Sequence, residues 1–205
     1  RPPGKRLLEV GCSAGASLEA AAHAGWQVAG IELSPQSAEA ARRRAGVQRV
    51  HTGTLLDFPT AGAGFDVVML LDVIEHIDPP APTLEAIHRV LSPGGLALFV
   101  TPDAGSWSAR MMSARWPHLF VEHVIVYGRR ALAGRLEAAG MRAERCGFAW
   151  KRVNLNMLVR HATIHRHVAF GGVLRALGKI VPGAVQRMMV PFNIGEFYMV
   201  ARRGG

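Results

Sequence analysis

At 205 residues, 49% of them apolar and 19% charged, the chain is long enough to bury one sizeable core and too apolar to be disordered. Its two cysteines, Cys12 and Cys146, lie far apart, which argues against a disulfide framework and a cysteine-based zinc site and fits a reducing cytoplasm. The net charge of +9 is lopsided: residues 151–205 carry nine Lys/Arg against the single acid Glu196, so any acidic partner concerns the tail.

Strand and helix signals alternate over the first half of the chain, which predicts βαβ units and a mostly parallel sheet. Arg6 to Val10 reads as a first strand, Ala16 to Ala24 as an alanine-rich helix closed by Gly25, and WQVAGIEL as a second strand. Ser34 and Pro35 then cap and start the helix QSAEAARRRA. VQRVHTG is a short third strand nearer an edge, and FDVVMLLDV a fourth, apolar at almost every position as a strand covered on both faces should be. A helix from Thr83 to Leu91, a turn at SPGG and a fifth strand at LALFVTP follow. Beyond Asp103 the segment AGSWSARMMSARWPHLFVEHVIVYG is rich in Trp, Met and His. RRALAGRLEAAG then reads as a helix, MRAERCGFAW as a sixth strand and GEFYMVARR as a last one.

The last two strands are separated by about forty residues, far more than a hairpin needs. Within this insertion Val173, Leu174, Leu177, Ile180 and Val181 recur at helical spacing, with Arg175 and Lys179 on another face. Pro182 breaks that helix ahead of a turn carrying Val185, Met188 and Met189. Such a basic amphipathic pair reads either as a lid or interfacial anchor, or as a stripe packed on the rest of the chain or on a second copy. No apolar run approaches the roughly 18 residues of a membrane span. The opening RPPGKRLLEV has no initiator Met and no apolar signal core, which reads as a chain whose earlier residues are missing.

The stretch LLEVGCSAGAS, residues 7–17, ends a strand in a carboxylate and a glycine-studded turn, the form in which many open α/β sheets hold a nucleotide-like cofactor. A dinucleotide fingerprint is disfavoured, because Ser13 stands at its middle glycine and its third glycine does not exist. No G-K-[ST] follows, so a P-loop is excluded.

LLEVGCSAG, GIELS, GTLLDFP, FDVVMLLDVIEHIDPP and LSPGGLALFVTPD, in that order, resemble the successive motifs of class I S-adenosylmethionine-dependent methyltransferases. The resemblance covers residues 6–148, and GEFYMVARR is similar to the family's last strand. It implies an α/β fold: a Rossmann-like, mostly parallel seven-stranded sheet with helices on both faces and an antiparallel last strand. The expected organisation is a cofactor-binding core at 1–150, a basic insertion or lid at 151–190, and the core's last strand at 191–205.

The implied cofactor is S-adenosylmethionine, and the chemistry of the residues agrees. Glu9 can anchor the turn and face the cofactor's ammonium, while the turn Gly11, Cys12, Ser13 and Gly15 lets the backbone pass close to the ligand. Glu32, with Leu33 beside it, suits a bidentate grip on two ribose hydroxyls. By resemblance Asp57 accepts from the adenine amino group and Leu56 packs on the base, while Leu71 and Asp72 line the methionine arm. Ser13 departs from the family's usual second glycine and puts the loop path in question.

Methyl transfer is an in-line displacement, and a base is needed only where the acceptor arrives protonated. His123, then His118 and His76, are the candidate catalytic groups; each can equally be a partly buried imidazole satisfied by a backbone carbonyl. Trp107, Trp116 and Tyr127 either wall the acceptor pocket or belong to the core. DVIEH is similar to an E-x-x-E-H element that accompanies a divalent metal in ubiquinone-pathway O-methyltransferases, with Asp72, Glu75 and His76 in those places; Glu75 and His76 can instead cap the following loop, and no metal is assigned.

WPHLFVEHVIVYGRRAL resembles a segment of sugar, polyketide and quinone tailoring enzymes. The expected activity is therefore methylation of a small molecule, foremost at a hydroxyl of a quinone-precursor, sugar or polyketide-type acceptor. The alternative is a catalytically inactive, cofactor-binding scaffold at a membrane. Expected partners are the small-molecule acceptor and a membrane surface met by residues 160–190, the protein being cytoplasmic or peripheral and a monomer or homodimer. Nucleic acid is disfavoured, since the basic region lacks interleaved aromatics for stacking.

Overall fold

In the computed structural model, which describes residues 1–44, 49–59, 64–119, 121–164 and 171–204, β1 (Arg6–Val10) leads into α1 (Ala16–His23), β2 (Gln27–Glu32), α2 (Pro35–Arg44) and the short β3 (Val50–Thr52). The chain continues through β4 (Phe65–Leu71), α3 (Ala81–Val90), β5 (Leu91–Pro102), α4 (Trp107–Met112), α5 (Arg129–Ala138) and β6 (Met141–Phe148). The insertion supplies β7 (Lys151–Val153), α6 (Leu155–Ile164), α7 (Gly171–Ile180), α8 (Gly183–Gln186) and β8 (Val190–Phe192), and β9 (Glu196–Arg203) closes the fold. Short 3-10 turns lie at Ile74–His76 and Ser113–Arg115.

Seven strands form one sheet in the order β3-β2-β1-β4-β5-β9-β6, with β9 antiparallel to both its neighbours and the other pairings parallel. The expected fold class is the one observed. Alternation along the central strands explains why helices cover both faces. Leu8, Val10, Val68 and Leu70 join Leu84 and Ile87 of α3 and Leu132 and Leu136 of α5 in one core. Their neighbours Leu7, Val67 and Met69 pack on the opposite face with Leu18 of α1 and Ala38 and Ala41 of α2.

Element boundaries depart from expectation in a few places. Strand β5 begins at Leu91, which pairs with Phe65, and runs through the expected SPGG turn, where Gly94 takes φ 71°. The helix before it therefore stops at Val90. In the insertion the expected helix matches α7 and its Pro182 break, whereas α6 and the antiparallel β7–β8 ribbon were not read from the sequence. Val47 and Gln48 of the expected third strand, and residues 165–170 of the insertion, lie outside the described residues. Among the described residues no helix is long and apolar enough to cross a membrane.

Strand order reverses direction between β1 and β4, the place at which open α/β sheets hold ligands beyond the carboxyl ends of the strands. Gly11 and Cys12 donate their backbone N–H groups to the Ile31 carbonyl (2.8 and 3.0 Å), stitching the turn to β2, while the Asp72 N–H donates to Val100 (2.9 Å). Pairing of Pro102 with Glu196 carries the start of β9 to the same edge.

Candidate active site

Glu9 is 3% exposed and accepts the Ser17 hydroxyl at 2.6 Å, so it ties the end of β1 to the first turn of α1; burial pushes its pKa up. Between them Gly11, Ser13 and Gly15 all take left-handed backbone, with φ of 73°, 49° and 77°. A Cβ on Gly11 would come within 2.5 Å of Val73 Cγ2, so this glycine is required by packing as well as by its dihedral. Cys12 lies buried behind the turn, its thiol pushed up to about 11 by burial and then by Glu9 and Glu32, which keeps it protonated.

Glu32 is the fixed point of this edge. Its Oε2 accepts the Ser13 N–H at 2.8 Å and its Oε1 the Ser34 N–H at 2.9 Å, so the carboxylate cannot swing away from the turn. Leu33 and Leu56 are 71% and 55% exposed, large apolar side chains left uncovered on the same edge. Asp57 uses one oxygen, Oδ2, to accept both the Thr54 hydroxyl (2.6 Å) and the Thr54 N–H (3.2 Å), which holds its carboxyl below the usual range. Leu71 is half-buried at the end of β4, and Asp72 follows it in left-handed backbone, φ 55°. A pinned acceptor carboxylate, exposed apolar surface and a tight glycine turn fit a ligand with a diol and a flat ring, such as an adenosyl group.

From Asp72 a chamber of about 680 Å³ extends over the sheet edge. Its inner wall carries Glu75, His76, Trp107, His118, His123 and Glu196; its outer wall is Lys151, Val153, Met157, Leu158, Leu174 and Phe192 of the insertion. The three expected histidines are brought together. The rings of His76 and His123 meet edge-on at 4.8 Å, and those of His123 and His118 stack at 6.4 Å.

Two of these histidines meet backbone carbonyls. Nδ1 of His76 contacts the Glu122 carbonyl at 2.6 Å and Nδ1 of His123 the His118 carbonyl at 2.8 Å. A carbonyl only accepts, so Nδ1 carries the proton and Nε2 is the basic nitrogen of each neutral ring. Nε2 of His123 lies 3.9 Å from Glu75 Oε1, and Nε2 of His118 3.7 Å from Glu196 Oε1. Burial pushes the His123 pKa down and that of Glu75 up, the latter with its Oε2 accepting the Thr101 hydroxyl at 3.0 Å.

Glu75, His76 and His123 each offer a ligand atom within 4.8 Å of the others, a donor set that can hold a divalent ion. Oε1 of Glu75 is buried without a hydrogen-bond partner among the described residues. Asp72, which the motif resemblance puts in that set, is paired instead with Lys151, at 2.7 Å.

Of the expected aromatic walls only Trp107 lines the chamber. Trp116 and Tyr127 are core, 1% and 2% exposed, and the Trp116 N–H is spent on the Ile194 carbonyl at 3.0 Å. Lys151 and Glu196 were not singled out as site residues. The sole acid in a basic tail was the one sequence signal that pointed to Glu196.

A glycine turn, a pinned acid at the end of the second strand and this strand order define the class I methyltransferase architecture. The chain belongs to the methyltransferase domain family, whose profile matches residues 1–145. It is similar to the ubiquinone biosynthesis O-methyltransferase of Idiomarina loihiensis, 35% identical over 131 residues that cover 60% of this chain and 50% of that one. The enzyme of the same name from Cereibacter sphaeroides is 33% identical over 119 residues, 55% of this chain and 48% of its own. The chain thus spans about half the length of these curated relatives. Among solved structures, a SAM-dependent methyltransferase from Archaeoglobus fulgidus superposes with a TM-score of 0.64 at 16% identity, covering 98% of this chain and 87% of that one. Magnesium protoporphyrin IX methyltransferase from Synechocystis, solved with bound SAH, gives 0.63 at 13% identity, covering 98% and 75%. At such identities these structures establish the shared fold.

Ser13 carries a side chain in a conformation that costs an L-residue roughly 1–2 kcal/mol. Ser13→Gly is expected to raise stability in a denaturant melt by up to about 1 kcal/mol, the relief of strain exceeding the entropy glycine adds to the unfolded chain.

Proposed function

We propose that this chain is an S-adenosylmethionine-dependent methyltransferase acting on a small molecule, foremost at a hydroxyl of a quinone-precursor, sugar or polyketide-type acceptor. The observation that carries the reading is the Glu32 carboxylate, pinned by the Ser13 and Ser34 N–H groups beside exposed Leu33 and Leu56, in a chain of the methyltransferase domain family. The names of the relatives from Idiomarina and Cereibacter support a quinone precursor within that acceptor group.

Glu32 takes the two ribose hydroxyls, Leu33 and Leu56 cover the adenine, and the second oxygen of Asp57 accepts from its amino group. The turn Gly11, Cys12, Ser13 and Gly15 borders the sugar and the amino-acid arm, Glu9 stabilises the turn and faces the ammonium, and Leu71 and Asp72 close the far side of that arm. When bound, S-adenosylmethionine supplies its methyl as a sulfonium electrophile. His123 works from the chamber wall: with Nδ1–H donated to the His118 carbonyl, Nε2 takes the acceptor's proton as its oxygen attacks. His118, beside Glu196, and His76, against the His123 ring, orient the acceptor and hold His123 in place. Because burial favours the neutral form of Glu75, we read the cluster as one that handles protons. The inactive scaffold is not favoured, since a chamber lined with titratable groups adjoins the cofactor edge and the relatives are named as enzymes.

Calorimetry with S-adenosylhomocysteine tests the cofactor site. Glu32→Ala is expected to weaken binding about 10- to 100-fold, the worth of hydrogen bonds to a charged group; equal affinities, or no heat with wild type, would remove this reading. For His123, a pKa held below the ordinary 6.5 leaves the ring neutral at pH 7. The rate should therefore stay level on acidification through 6.5 and fall only below it. His123→Ala should cost about 10²- to 10⁴-fold in kcat and abolish that acid limb.

The insertion supports peripheral membrane contact. Ile164, Ile180, Val185 and Met188 are 63%, 75%, 50% and 62% exposed, and Arg160, Lys179 and Arg187 lie in the same segment. Flotation with vesicles containing phosphatidylglycerol should carry wild type and leave an Ile180→Glu/Met188→Glu variant behind. A soluble dimer that ignores vesicles would replace the membrane with a second copy.

A further inference from the structure

The insertion's elements pack mainly on one another: α6 against α7 and α8, and β7 against β8. Its ribbon leaves and rejoins the sheet at two anchored points. After β8, the Asn193 side-chain amide donates to the carbonyls of Ala149 and Glu196. At the start of β7, Lys151 reaches into the chamber, its Nζ 2.7 Å from Asp72 Oδ2 and 2.7 Å from Glu196 Oε1.

The three charged groups come from three separate segments. Asp72 directly follows β4 next to the proposed methionine arm, and Glu196 begins β9 with its side chain 6% exposed and the same oxygen 3.7 Å from His118 Nε2. Without a cation between them, two carboxylates would face each other at the chamber floor, one of them buried. A lysine ammonium carries three donors and can serve both carboxylates at once.

We propose that Lys151 is a positioning residue: by bridging Asp72 and Glu196 it directs the β7–β8 ribbon, and the helices that ribbon carries, across the chamber, and so couples the cofactor edge to the acceptor wall. The proposal rests on the chamber being the acceptor site. Asn193 fixes where the ribbon is rooted, and Lys151 fixes where it points. A ligand that settles the Asp72 side therefore also settles the outer wall formed by Val153, Leu158 and Phe192.

Hydrogen–deuterium exchange on the full chain tests this without a known acceptor. In Lys151→Met, peptides spanning residues 151–160 and 188–193 should exchange about tenfold faster than in wild type, while β1, β4 and β5 keep their protection. Lys151→Arg should restore part of it. Adding S-adenosylhomocysteine should slow the ribbon peptides of wild type but not those of Lys151→Met, although calorimetry still registers binding to both. Should Lys151→Met loosen the whole sheet, Asp72→Asn, which breaks one half-exposed pair, should give the same confined change. The proposal is overturned if the ribbon exchanges alike in both variants and wild type, or if the ligand protects the ribbon equally with and without Lys151. Failure of wild type to bind the probe would count against the cofactor reading alone, because the comparison without ligand still decides the bridge.

Discussion

Two backbone N–H groups holding one carboxylate organise this molecule's working edge. The Glu32 side chain spans the gap between the glycine turn after β1 and Ser34, the residue that precedes α2, and so braces the turn that lies beside the point where strand order reverses. The turn gains a partner for the N–H of a residue forced into left-handed backbone, and the acid gains a fixed direction. Each restrains the other: the two N–H groups hold a glutamate that would otherwise scatter over several rotamers, and hydrogen bonds to a charged acceptor are worth more than neutral ones.

Much of this was legible because it is local. β1, its turn and the acid at the end of β2 are written within a few dozen consecutive residues, and the alternation along β4 announces a strand buried on both sides. The same locality explains what was lost. Lys151 meets Asp72 across 79 positions and Glu196 across 45, and no periodicity links residues so distant. The β7 and β8 strands are three residues each, too short for alternation to register, and α6 follows β7 directly, its start marked only by Asn154, whose side chain accepts the Met157 N–H. Trp116 and Tyr127 looked like walls because large aromatics with polar tips suit either a pocket or a core. What decides is whether the ring N–H or hydroxyl is turned inward, and the chain order does not record that.

The charge pattern acquires a physical meaning once the fold is known. The basic excess of the tail belongs mostly to the insertion and the β9 terminus, while the chamber it faces gathers Asp72, Glu75 and Glu196 on the sheet side. Burial pushes Glu75 and Glu196 toward their neutral forms, and for Lys151 the two nearby carboxylates outweigh a burial that would otherwise depress it. The chamber floor is thus a set of groups whose protonation states depend on one another, the setting that the proposed role of His123 requires.

The ribbon of β7 and β8 departs from the sheet and returns to it at neighbouring points. Phe148 and Phe197, at its two flanks, are cross-strand partners, and the Ala149 N–H still bonds to the Glu196 carbonyl at 3.1 Å. The excursion between them is therefore a closed detour from an intact antiparallel pair, and lengthening such a detour raises its closure entropy only slowly. An outer wall of different size or polarity can therefore be grafted between these two flanks at little cost to the sheet, which leaves the edge proposed for the nucleoside untouched.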